Sequence, residues 1–216
     1  MLSDLAYISE WATAIVALLC YKKYRHTAMQ PIVFILWIVV AIEVCARIES
    51  IRIEGTNHIY YNAYIITIFP LLYYTIYKHT LVAHRKKRIL IISAITIAII
   101  LLRAVTASFL THFMIYMYIL AMIALVINLL IYAVDLLKTN MRIVLKNRLD
   151  LFIFSGFLIF GVSYIPLSFF MMGLPIFELS ASATGMLSSL QLSIVVLMNI
   201  IFILGFFWTS PIKRNT

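Results

Sequence analysis

Three ionisable side chains stand in stretches that offer them no water. Glu10 lies in SEWATAIVALL, Glu43 in FILWIVVAIEVCA, and Arg103 follows the run ILIISAITIAIILL. A charge in such surroundings costs several kcal/mol unless it is paired or hydrated, so charges of this kind mark ion pairs, ligand sites or ion paths. Arg103 offers five donors in a rigid fork and is able to bridge both carboxylates. Bridged, the three side chains either lock their helices together or floor an outward-opening polar cavity; unbridged, Arg103 snorkels to headgroups. Glu43 has a second partner in reach, Arg47, one helical turn further on.

The elements that must position these groups follow from composition. Of 216 residues 64% are hydrophobic and 12% charged, with a mean hydropathy of +1.06. A water-facing surface needs about 25% charged residues, so lipid must cover most of this one. Seven apolar segments, near 5–21, 30–47, 58–77, 88–109, 113–136, 150–172 and 184–208, approach the ~20 residues that cross a bilayer. The expectation is a single all-α domain over 1–216, a polytopic membrane protein of seven transmembrane helices. The first segment has no basic residues ahead of it and reads as a retained helix rather than a leader. Pro70 and Pro166 fall inside segments and predict kinks.

Fourteen of the 17 basic residues fall after segments 1, 3, 5 and 7: Lys22, Lys23 and Arg25; Lys78, Arg85, Lys86, Lys87 and Arg88; Lys138, Arg142, Lys146 and Arg148; Lys213 and Arg214. The positive-inside rule makes that side cytoplasmic, with the N-terminus outside and the C-terminus cytoplasmic, in a cell inner membrane. The same alternation reads HRKKR at 84–88 as an anchor on anionic headgroups rather than a nucleic-acid patch. The partners expected are therefore the lipid bilayer and a cytoplasmic protein at the basic loops, with no nucleic acid; a homo-oligomer is compatible.

Counting inward from the basic anchors at ~1.5 Å per residue places Glu10 at ~18 Å, Glu43 at ~21 Å, Asn62 at ~24 Å, Arg103 at ~22 Å, and Tyr164 and Asn199 at ~21 Å. Six polar groups from six helices thus share one layer slightly outside the midplane, with Asn128 lower, at ~15 Å. A rim of Asn57, His58, His112, Tyr116 and Gln191 would surround it. Tyr60, Tyr61, Tyr116 and Tyr118 read as an interfacial aromatic belt.

No catalytic motif accompanies these residues, and neither a metal nor a cofactor is expected. The five His residues stand mostly in or beside loops, which departs from seven-helix zinc hydrolases of the ceramidase and adiponectin-receptor type. The seventh segment has no lysine for retinal, which excludes a rhodopsin. Glu10 and Glu43 have no counterparts in segments 5–7, against the repeat of SWEET-type sugar transporters. Cys20 and Cys45 fall at opposite depths and should not bond.

YKKYRHT, FILWIVVAIEV and NHIYYNAYIITI, with Glu10, Trp37, Glu43, Asn57, Tyr61 and Asn62, resemble a group of small uncharacterised multi-helix membrane proteins of Bacteroidota, over roughly the first 80 residues. The resemblance implies a bacterial inner membrane and carries no activity with it. The functional expectation is a sensor or receptor-like module that binds a small or lipidic ligand in an outward-facing polar cavity. The alternatives are a secondary transporter or ion-coupled carrier with Glu10 and Glu43 as its carboxylates, and an oligomeric membrane effector of a defence system.

Overall fold

Each of the seven apolar segments forms a helix in the computed structural model of the chain, which describes residues 2–52, 57–106, 109, 112–138, 148–177 and 181–210. The helices are α1 (Leu2–Leu19), α2 (Tyr21–Tyr24), α3 (Gln30–Arg52), α4 (His58–His79), α5 (Ala83–Thr106), α6 (Ile115–Lys138), α7 (Leu149–Phe177) and α8 (Ala181–Trp208). All but the four-residue α2 are long and apolar enough to cross a membrane, and no strand occurs among the described residues. Several run past the apolar limits read from the sequence. α5 starts at Ala83 rather than 88, because backbone hydrogen bonding continues through the basic turn that hydropathy excludes. Arg142, Lys146, Lys213 and Arg214, counted above as basic anchors, lie outside the described residues.

The helices pack as two compact units, Met1–Lys23 with Ile143–Thr216, and Tyr24–Arg142. In the first, α8 is the shared element, packed by both α1 and α7. The buried stripe of α1 is made of small residues, Ala6, Thr13, Ala14 and Ala17, which lets two backbones approach closely. Lys23 donates to the Phe206 carbonyl at 3.0 Å, which brings the C-terminal ends of α1 and α8 together and satisfies a carbonyl of the last turn of α8.

Where α7 meets α8, glycine makes the room. A Cβ on Gly156 would stand 2.5 Å from the Phe202 ring, and one on Gly205 would stand 2.6 Å from the Phe152 Cβ. The two contacts run in opposite order along the two helices, so α7 and α8 are antiparallel. Gly205→Ala meets a Cβ that cannot swing away and should cost about 2 kcal/mol. Gly185→Ala, with nothing within 4 Å, should gain about 0.5–1 kcal/mol from helix propensity. Thermal melts of the two variants in the same detergent should therefore shift in opposite directions.

In the second unit α4 packs α3, α5 and α6, and α5 packs α6. The spacing of Ile65, Ile68, Phe69, Leu72, Tyr73 and Ile76 gives α4 one continuous buried stripe. The outward face of α5 is apolar instead, with Leu90, Ile95 and Leu102 more than half exposed. A helix that buries its hydroxyls (Ser93, Thr96) and exposes its aliphatics is built for a lipid surround.

Candidate functional site

The two units divide the predicted polar layer: Glu10, Tyr164 and Asn199 belong to the first, Glu43, Asn62 and Arg103 to the second. Within the second unit Glu43 and Arg103 are not joined. Glu43 is half-buried on α3, and the charge it feels is that of Arg47, one turn on. Arg103 continues the α5 stripe of Ile89, Ser93, Thr96 and Ile100, but it stands one turn from the end of the helix and is exposed. Its long side chain has water or headgroups in reach and needs no carboxylate. Arg103→Ala should accordingly change stability by less than about 0.5 kcal/mol in a detergent melt.

Asn62 is fully buried, and backbone uses its amide. Its Nδ2 donates to the Phe109 carbonyl at 2.7 Å and the His112 carbonyl at 2.8 Å, and its Oδ1 accepts from the Met114 amide at 2.9 Å. The side chain therefore ties α4 to the turn that enters α6. Around it Tyr118 stands edge-on to Phe69 at 5.7 Å, and Tyr61 stands edge-on to Phe113 at 6.1 Å. These two tyrosines, expected in an interfacial belt, are packed between α4 and α6, whereas Tyr116 is 69% exposed. Asn57 is the N-cap of α4 through its backbone carbonyl, without a side-chain cap bond. His58 opens that helix half-buried, and the His112 side chain is exposed.

In the first unit Asn199 is also buried. Its Nδ2 donates to the Val195 carbonyl of its own helix, and its own carbonyl accepts from Thr13 of α1 at 3.4 Å. This is interhelical linkage. Tyr164 and Gln191 are different. Both are half-buried; the Ser168 hydroxyl donates to the Tyr164 carbonyl at 2.9 Å, and the Gln191 side chain of α8 comes to the Tyr164 hydroxyl of α7. One of these residues was expected in the layer and the other at the rim; the structure brings them together. Glu10 lies half-buried on α1 in the same unit, next to Ser9. A shallow apolar groove along Leu2, Asp4, Leu5 and Ile8 reaches none of these groups.

Sequence reasoning missed a buried ion pair of the second unit. Asp135, 1% exposed on α6, accepts from the Leu81 amide at 2.7 Å, the Val82 amide at 3.3 Å and Arg85 Nη1 at 2.8 Å. The carboxylate thus holds two amides of the turn that enters α5 and neutralises a cation in the first turn of that helix. The available signal was register: Arg85 opens the stripe that Ile89, Ser93 and Thr96 continue inward. Tyr73 was missed as well; its hydroxyl donates to the Ala121 carbonyl at 2.7 Å. Asn128 donates to Ser93 Oγ at 3.1 Å, while its buried Oδ1 has no partner.

Among the described residues no group of three His, Cys, Asp or Glu is arranged to hold a metal ion, and both cysteines are free. No family model, curated protein or solved structure matches the chain.

Proposed function

We propose that this chain is a multi-pass protein of a bacterial inner membrane, with its N-terminus outside and its C-terminus cytoplasmic. In this reading it acts as a receptor-like module that binds a small or lipidic ligand through outward-side polar groups. The orientation is supported within each unit. Lys23 meets the C-terminal end of α8, and the contact of Asp135 with Leu81 and Val82 sets the basic α4–α5 turn beside the end of α6 that carries Lys138. Basic turns thus gather at one end of each unit, as the positive-inside rule requires.

The observation that carries the ligand site is the Tyr164–Gln191 contact. A site needs polar groups that are prepositioned and still reachable. Asn62 and Asn199 are prepositioned but fully buried, and Arg103 is reachable but held by nothing described. Tyr164 and Gln191 meet both conditions, and Glu10 of the same unit would add a charge. Their position on two helices gives a ligand a way to bias helix shifts toward the basic loops. A carrier would also need polar groups open toward the cytoplasmic end. Two described carboxylates lie toward that side, and both are occupied: Asp135 by Arg85 and two backbone amides, and Asp150 by Arg148.

The test is a thermal-shift screen of purified protein against periplasmic metabolites and lipids. At least one class should raise the melting temperature of the wild type, and Gln191→Leu should abolish that rise while melting near the wild-type temperature without ligand. A wild type that no class shifts rejects the reading.

A further inference from the structure

The basic turn between α4 and α5 is organised more specifically than an anchor requires. Lys78 holds its Nζ over the Tyr74 ring of its own helix, 5.3 Å from the centroid. Lys86 reaches from α5 to α4 and holds its Nζ over the Tyr77 ring at 5.5 Å. Tyr74 and Tyr77 are three residues apart and so neighbours on the α4 surface. Two ammonium groups are therefore held on aromatic platforms beside one seam, with part of their freedom already lost.

Among the described residues no carboxylate pairs with them. The stretch 78–88 contains no acidic residue, and Asp135 beneath it is taken by Arg85 and the Leu81 and Val82 amides. One turn deeper on the same faces come Tyr74 before Lys78 and Leu90 after Lys86, 50% and 55% exposed. Cations thus lie at the end of the seam, and an exposed aromatic and aliphatic wall runs away from them.

We propose that this seam is a binding site for one anionic phospholipid, and that it favours a headgroup with two phosphodiesters, the diphosphatidylglycerol type. One phosphate sits against each lysine, and an acyl chain lies along Tyr74 and Leu90. The charge complementarity selects an anionic lipid; the apolar wall selects a lipid over a free anion. The inference rests on the membrane-embedded reading above.

Native mass spectrometry of the full chain in detergent micelles, titrated with diphosphatidylglycerol or phosphatidylcholine, tests it. The wild type should retain one diphosphatidylglycerol in preference to phosphatidylcholine. Lys78→Gln with Lys86→Gln should weaken that binding on the order of tenfold. Lys87→Gln with Arg88→Gln, which removes the same charge from exposed positions, should weaken it far less. Tyr77→Leu keeps every charge, should also reduce the preference, and serves if the lysine double variant does not fold.

Equal weakening by the two double variants, no preference in the wild type, or displacement of the lipid by millimolar inorganic phosphate would each overturn the proposal. Carbonate extraction separates this failure from that of the embedded reading. A chain stripped from membranes by carbonate is not embedded; one that resists extraction but shows no lipid preference lacks only this site.

Discussion

Asp135→Ala should cost about 3–5 kcal/mol, the largest loss expected from any single substitution in the second unit. Removing the carboxylate strands a cation, because the Arg85 side chain is only 11% exposed. It also leaves the Leu81 and Val82 amides of the turn into α5 without their acceptor. Arg85 keeps one weaker bond, to the Val134 carbonyl at 3.3 Å. Arg85→Met should cost less, since Asp135 keeps both amide donors. The double variant Asp135→Ala with Arg85→Met should lose less than the sum of the two, by at least 1 kcal/mol, on the order typical of groups in one network. Denaturation in mixed micelles measures all three; strict additivity would refute the coupling.

Asn62→Leu should be the second large effect, about 3 kcal/mol. One side chain answers three backbone groups around the turn into α6, and each buried group left unsatisfied costs about 1–3 kcal/mol. The informative companion is Asn62→Asp. Its carboxylate still accepts from Met114 but faces the Phe109 and His112 carbonyls, to which it has nothing to donate at neutral pH. Protonation returns one donor, so this variant should regain stability as pH falls, while Asn62→Leu should not. The melting temperatures of the two variants between pH 7 and pH 4 check the sign. If Asn62 were instead a ligand group with spare valence, both variants would fold normally and lose only binding.

These two residues show why the polar layer was only partly legible. Counting along helices gives depth, and depth grouped Glu10, Glu43, Asn62, Arg103, Tyr164 and Asn199 together. Depth does not give rotation about the helix axis. Rotation turned Asn62 onto backbone carbonyls at the turn into α6, while the Asn199 side chain bonds the Val195 carbonyl of its own helix. Glu43 shows the same limit: Arg47 was a neighbour by helical spacing alone, whereas Arg103 needed a tertiary contact that is not made. Tyr164 with Gln191 is the reverse case, two residues 27 apart in sequence joined by the antiparallel course of α7 and α8.

What the sequence determined by itself is the seven long apolar helices and their order. Hydrocarbon demands internally satisfied backbone over ~20 residues, and that demand is written locally in every segment. The placement of lysine and arginine is equally local, and it carries the orientation proposed here. Tertiary structure alone decided which polar side chains hold the helices together and which remain reachable. A buried carboxylate or amide is defined by partners that arrive from other elements: the Leu81 and Val82 amides and Arg85 for Asp135, the Phe109 and His112 carbonyls and the Met114 amide for Asn62. Those partners are 47–54 residues away in the chain, and no periodicity within one helix encodes them.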